Sequence, residues 1–170
     1  GVIFFSDYIE KYIAPKKGRK HILYLIREML TFTPNSKRTD VGVSLEYLNK
    51  VMKRRCTAFV ISDFYTRKDF SQELRIANKK HDVVAIQIYD PRAKEMPDVG
   101  LMKVVDAETG HEMYIDTHDA RLRKVHNKYW EEREIRLHEM LSQSHVDSVA
   151  IATDDDYVKM LMTLFSKRNR

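Results

Sequence analysis

A chain of 170 residues, 43% of them apolar, suits one domain with a real core and excludes wholesale disorder. No apolar run approaches the ~20 residues that span a bilayer, no basic-then-apolar signal segment opens the chain, and the single cysteine, Cys56, excludes an intrachain disulfide or a cysteine-based zinc cluster. The net charge of +5, from 30 basic and 25 acidic residues, gathers in short clusters at Lys16-Lys17-Gly18-Arg19-Lys20, Lys53-Arg54-Arg55 and Lys167-Arg168-Asn169-Arg170, which suit phosphates or an acidic protein surface.

The elements follow in chain order. Val2-Ile3-Phe4-Phe5 has the length and the β-branched and aromatic content of a strand buried on both faces. Tyr8 to Ile13 reads as an edge strand closed by Pro15. From Arg19 to Leu30 the pattern turns helical, with Ile22, Leu25, Ile26, Met29 and Leu30 on one side; the Lys16 cluster then stands at a helix N-terminus, where the dipole disfavours it. A second helix runs from about Asp40 to Lys53 on a stripe of Val41, Leu45, Leu48 and Met52, and the Lys53 cluster suits its C-terminus. Cys56 leads into a buried strand, Thr57 to Ile61. Arg54 and Arg55 are placed to lower its pKa, against the plainer reading of a small buried residue.

A third helix begins near Lys68 with Phe70, Leu74 and Ala77 in step, and Val83 to Ile88 is the next strand. Apolar strands separated by helices of about a dozen residues indicate parallel strands joined by crossover helices, an α/β fold. The rhythm breaks at Pro91. Leu101 to Val105 and Glu112 to Ile115 flank Glu108-Thr109-Gly110 as a β-hairpin. A long helix follows from about Asp119 to Ser142, carrying Leu122, Val125, Tyr129, Leu137 and Met140 and interrupted by Arg133, a stripe that predicts partial burial. Val149-Ala150-Ile151 is the last strand, and Asp154-Asp155-Asp156 opens a final helix with Val158, Leu161, Leu164 and Phe165.

Ligands of parallel sheets gather at the carboxyl ends of the strands. Ser6-Asp7, Ser62-Asp63 and Asp154 to Asp156 are expected there, joined by Thr39-Asp40 from the loop before the second helix. Such oxygen groups suit Mg²⁺ or Mn²⁺. Ser, Thr and Asp are also preferred helix N-caps, which accounts for the Asp154 triplet and for Thr39 and Asp40 without any ligand. Asp63 follows an apolar strand directly, which makes it the stronger functional candidate. The seven histidines form no ligand-spaced pair. No glycine-rich phosphate loop and no Gly-x-Ser-x-Gly elbow is present, which disfavours a serine hydrolase.

Several stretches, taken in order, resemble a bacterial family. They are Asp7 with Ile9-Glu10-Lys11-Tyr12-Ile13, Pro15-Lys16-Lys17-Gly18-Arg19, Arg38-Thr39-Asp40-Val41-Gly42, Val60-Ile61-Ser62-Asp63-Phe64, Tyr89-Asp90-Pro91-Arg92 with Met96-Pro97, and Asp106-Ala107-Glu108-Thr109-Gly110. On these the chain is similar to domain-of-unknown-function family fifty-eight. The resemblance implies a von Willebrand factor A-like, Rossmann-like fold: a mostly parallel sheet flanked by helices, spanning 1–170, with a hairpin and long-helix insertion at about 91–146. It also implies a metal-ion-dependent adhesion site in which Thr39 and Asp63 match the second and third motifs. The first motif, Asp-x-Ser-x-Ser, has no counterpart, so the chain resembles that domain without its opening strand and helix. A divalent cation is then expected to bind weakly or not at all, and edges beside Val2 and Thr57 are expected to be open to pairing or homodimerisation.

The family resemblance further implies a MoxR-type AAA+ ATPase as partner, in a chaperone-like or assembly role, and a non-enzymatic protein-binding module. The alternative is a metal-dependent phosphodiesterase or nuclease using Asp7, Asp63 and Asp154 to Asp156. Nucleic-acid binding through the basic clusters ranks last, for want of a basic face interleaved with aromatics. A lone cysteine fits a reducing, cytoplasmic setting. The absence of an initial methionine reads as a trimmed piece, with a membrane anchor outside it as an open alternative.

Overall fold

The computed structural model describes residues 1–66, 68–106 and 110–168. In order these form β1 (Val2–Phe5), β2 (Ile9–Ile13), α1 (Arg19–Thr31), α2 (Val41–Val51), β3 (Thr57–Ser62), α3 (Ser71–Lys80), β4 (Asp82–Tyr89), α4 (Pro91–Lys94), β5 (Leu101–Val105), β6 (Glu112–Asp116), α5 (Ala120–Gln143), β7 (Asp147–Ala152) and α6 (Tyr157–Arg168). The expected α/β architecture is present. A three-stranded sheet in the order β3-β4-β7 is parallel throughout, with Val60 opposite Ala85 and Ala85 opposite Ser148. The crossovers run through α3 and through the α4 to α5 segment, as parallel pairing requires.

The β5–β6 hairpin pairs Leu101 with Asp116 and Val105 with Glu112, as its sequence indicates; its tip at Ala107, Glu108 and Thr109 lies outside the described residues, as do Asn169 and Arg170 of the last basic cluster. Gly110, with φ 72°, closes the turn in a backbone conformation that favours glycine.

The core lies on one face of the parallel sheet. Val41 and Leu45 of α2, Leu74 and Ala77 of α3 and Leu137 and Leu141 of α5 pack with Val60, Val83 and Ala85. The i, i+4, i+7 spacing of Phe70, Leu74 and Ala77 therefore does what the pattern predicts. On the opposite face, Phe165 of α6 meets Phe59 edge to face, with ring centroids 6.0 Å apart.

Three expectations change, two of strands and one of a helix. Val2–Phe5 is not buried on both faces; it is half-buried and pairs antiparallel with β2 as a separate two-stranded sheet. The hairpin is not hydrogen-bonded into the parallel sheet, so each of its faces carries only one helix. Phe4 stacks on Phe32 just after α1 and Lys11 pairs with Glu28 of α1, while Tyr12 on the other face meets Tyr47 of α2. Thr57–Ser62 is not a buried strand either. It is an edge strand whose Phe59 and Ile61 are 45% and 52% exposed.

The apolar side of α1 buries nothing: Ile22, Ile26, Met29 and Leu30 are all exposed. In α5 the burial is partial, as its stripe predicts: Val125 and Tyr129 are exposed and Leu137 and Leu141 are buried. No helix among the described residues is long and apolar enough to cross a membrane.

Candidate functional site

The carboxyl ends of β3, β4 and β7 lie at one edge of the parallel sheet, and the loop before α2 reaches the same region. Asp40 is the N-cap of α2. Its Oδ1 accepts from the Val43 amide at 3.2 Å, which satisfies one donor of the first turn. Its Oδ2 accepts from the Lys68 ammonium at 2.6 Å, and the Asp40 side chain is buried. Asp40 holds Lys68 above the ordinary lysine range, with Asp7 adding to the effect. Thr39, just before it, is half-buried.

Ser6 and Asp7 do not end a strand of the parallel sheet. They form the turn of the β1–β2 hairpin, but that turn docks on the same loop, since the Ser6 carbonyl accepts from the Asp40 amide at 2.9 Å. Glu10 organises the neighbouring loop. Its carboxylate accepts from the Ser6 hydroxyl at 2.9 Å, the Asn35 amide at 3.0 Å, Asn35 Nδ2 at 2.8 Å and the Ser36 amide at 3.1 Å. The Ser36 side chain holds the Asp7 carboxyl below its usual range. Partial burial pushes the Glu10 carboxyl up, and the donors from Ser36, Asn35 and Ser6 outweigh it and hold the group low.

Asp63 is exposed at the end of β3 and accepts from the Tyr65 amide at 2.9 Å. Between them Phe64 has φ 53°, an outlier for a bulky residue. Its ring, 4% exposed, stacks on Phe70 with centroids 6.1 Å apart, and that burial offsets the backbone strain. The outcome is a turn that presents Asp63 and Tyr65 outward while its middle residue is pinned in the core.

The middle of α5 stands against this turn. Arg133 donates to the Asp63 carbonyl at 2.9 Å and lies 4.8 Å from the ring centroids of both Tyr65 and Trp130. Tyr65 and Trp130 are 6.2 Å apart, and Tyr129 meets Trp130 edge to face. Read on the sequence, Arg133 only interrupts an apolar stripe. It is instead the hub of an aromatic cluster, and Lys68, Tyr65, Trp130 and Arg133 are site residues that periodicity alone misses.

Two members of the Asp154 triplet hold local backbone. Asp155 accepts from the Ala152 amide at 2.8 Å, and Asp156 accepts from the Val158 and Lys159 amides at the start of α6. Among the described residues no three His, Cys, Asp or Glu side chains converge as a metal-binding group, so Asp7, Asp63 and the triplet do not share one centre. At the far end of the sheet Cys56 lies 3.6 Å from His81 Nδ1. Burial pushes the thiol up rather than Arg54 and Arg55 bringing it down, and burial pushes the His81 imidazole down.

Comparison with known proteins finds similarities to curated relatives, to a solved structure and to a family model. The chain is 35% identical over 100 residues to Uncharacterized protein Rv1480 of Mycobacterium tuberculosis (strain ATCC 25618 / H37Rv), covering 58% of this chain and 32% of that protein, so it matches about a third of that relative's length. It is 28% identical over 160 residues to Uncharacterized protein MAV169 of Mycobacterium avium, covering 93% of this chain and 94% of that one. Among solved structures, the conserved hypothetical protein BatB from Bacteroides thetaiotaomicron superposes with a TM-score of 0.48 at 14% identity, over 85% of this chain and 68% of that one. The family model described as Protein of unknown function DUF58 matches residues 1–135, and the chain belongs to that family.

Proposed function

We propose that the chain is a non-enzymatic protein-binding module whose binding face is the carboxyl edge of the parallel sheet. The observation that carries this reading is the cluster of Tyr65, Trp130 and Arg133 beside Asp63. Tryptophan, tyrosine and arginine are the residues that dominate interface energetics, because each offers a large, stiff contact area with a polar tip. Here they are half-buried and already ordered against one another, which lowers the entropy cost of docking.

Thr39 and Asp63 add a second element. A Mg²⁺ or Mn²⁺ ion held by the Thr39 hydroxyl and the Asp63 carboxylate would leave coordination positions for a partner carboxylate. This part of the proposal rests on the resemblance to von Willebrand factor A-like domains. The resemblance to domain-of-unknown-function family fifty-eight points to a MoxR-type AAA+ ATPase as the partner, with the chain serving a chaperone-like or assembly role.

The test is a calorimetric titration of a purified MoxR-type ATPase into the chain, with Mg²⁺ and then with a chelator. Binding is expected to weaken at least tenfold in Trp130→Ala, and Asp63→Ala is expected to abolish any dependence on Mg²⁺. Binding indifferent to Trp130→Ala rejects the face. No binding under either condition rejects the partner.

A further inference from the structure

We infer that the amino edge of the parallel sheet, opposite the face proposed above and sharing none of its residues, docks on an anionic lipid surface. Three helix ends meet there. The Asp82 amide at the start of β4 donates to the Cys56 carbonyl just before β3 at 2.9 Å. Lys80, the last residue of α3, donates to the Asn49 carbonyl in the last turn of α2 at 2.5 Å. Arg168, the last residue of α6, pairs with Asp82 and, at 3.1 Å, with Asp147 at the start of β7. These contacts carry Lys53-Arg54-Arg55, Lys79-Lys80 and Lys167-Arg168 to one end of the molecule.

A fourth cluster reaches the same end. The turn of the β1–β2 hairpin docks at the carboxyl side, through the Ser6 carbonyl on the Asp40 amide. The open end of that hairpin, and the run from Lys16 to Lys20 that follows β2, therefore lie at the amino side. The helix dipole does not account for this run. It opens α1, at the positive end of the dipole, with no acid in the first turn and no side-chain cap at Gly18. Lys53, Arg54 and Arg55 lie past the end of α2, where the dipole has faded. The cations of the Lys16 run, with Lys53, Arg54, Arg55, Lys79 and Lys167, are exposed and make no ion pair among the described residues. The acids that open β4 and β7, Asp82 and Asp147, are both taken by Arg168.

The distribution of charge sets the chemistry of the partner. Like charges gathered without counter-charge repel one another until an outside anion faces them. Protein partners are anchored by buried aromatics in pockets, and single-stranded nucleic acids by aromatic side chains that stack on bases. The segments that bear these charges, 16–20, 53–55, 79–80 and 167–168, contain no Phe, Tyr or Trp. They offer long, flexible cations spread across the whole end of the fold, from the hairpin to α6, which matches an extended layer of anionic headgroups. Each basic residue near such a surface raises affinity about fivefold by charge attraction, an effect that fades within a Debye length of about 10 Å. Docking in this way leaves the carboxyl edge, with Tyr65, Trp130 and Arg133, facing away from the lipid.

The experiment is co-sedimentation of the full chain with vesicles of phosphatidylcholine alone and of phosphatidylcholine with phosphatidylserine. Binding is expected only to the vesicles that contain phosphatidylserine. The triple variant Lys53→Glu, Arg54→Glu, Arg55→Glu is expected to weaken it at least tenfold, and so is the double variant Lys16→Glu, Lys17→Glu, with the melting temperature of each in place. Arg121→Glu, Lys124→Glu, Lys128→Glu on α5 changes the net charge as much as the first triple variant and is expected to leave binding within about twofold. Equal binding to both vesicles, binding to neither, or an equal loss in the α5 variant overturns the inference. So does a DNA duplex or polyglutamate that displaces the chain from the vesicles at equal charge concentration, since the face then belongs to a nucleic acid or an acidic protein.

Discussion

The amide of Asp40 donates to the carbonyl of Ser6 at 2.9 Å. One main-chain bond thereby joins the turn of an antiparallel hairpin to the N-terminus of α2, which belongs to the core of a different sheet. Asp40 also uses both carboxylate oxygens, one on Val43 and one on Lys68, so a single residue fixes hairpin, helix and the loop that follows Asp63.

Removing the Asp40 side chain is therefore expected to be costly. Asp40→Ala loses the cap and strands the Lys68 contact, a loss of about 1–2 kcal/mol from the cap alone. Asp40→Asn keeps an oxygen for Val43 and is expected to cost less. Lys68→Met is expected to destabilise too, because it leaves a buried carboxylate without its cation. Urea denaturation of the three variants orders them.

The loop held by Glu10 is expected to be acid-sensitive. The Glu10 carboxyl is held below its ordinary value of 4.5 in the folded chain, and Asp7 is held below 3.8 by Ser36. A depressed folded pKa means stabilisation that is fully present above the unfolded value and lost as pH falls through the folded one. The protection factors of the Asn35 and Ser36 amides, measured against the intrinsic rate at each pH, are thus expected to be high at neutral pH and to fall as pH drops below 4.5. Glu10→Gln is expected to remove most of that pH dependence and to leave the loop looser at neutral pH.

Cys56 is expected to be a poor nucleophile in the native chain. Burial raises its pKa, which lowers the thiolate fraction at neutral pH. Its reaction with a disulfide reagent at pH 7.5 is expected to be slower than that of an unstructured cysteine peptide and to reach the peptide rate in urea. Equal rates in both conditions would contradict the burial seen here.

Two leucines on helices should respond in opposite ways. Leu74 is 1% exposed in the core, and Leu74→Ala is expected to cost about 2–5 kcal/mol. Leu30 is 82% exposed on α1, and Leu30→Ala is expected to leave stability within about 0.5 kcal/mol. Thermal and chemical melts of both variants check the contrast.

Trp130 is the single tryptophan, so intrinsic fluorescence reports the cluster directly. Tyr65→Ala or Arg133→Ala is expected to shift its emission to longer wavelength as a face of the indole opens to water. An unchanged spectrum in both variants would mean that these contacts do not hold in solution.

What could be read from the sequence was whatever depends on local order. Leu74 and Ala77 fall in helical step, Val83 to Ile88 form an apolar run of strand length, and Glu108-Thr109-Gly110 carries a turn signal between two short strands. The caps at Asp40, Asp119 and Asp156 follow from side chains that reach their own helix within three residues. Hydrophobic period and capping chemistry act over a few residues, so a single sequence carries them.

Only the tertiary structure decided which apolar faces find a partner. The pattern of Ile22, Ile26 and Met29 resembles that of a buried helix, and Phe59 and Ile61 read like a buried strand, yet all of them stay largely exposed: Phe165 of α6 covers Phe59 only in part, and no other element among the described residues covers the rest. The same holds for the site. Arg133 and Asp63 are 70 residues apart in the chain, and no local signal ties a charge in the middle of α5 to a turn at the end of β3. Periodicity says that a face is apolar; the packing of distant segments determines what, if anything, meets it.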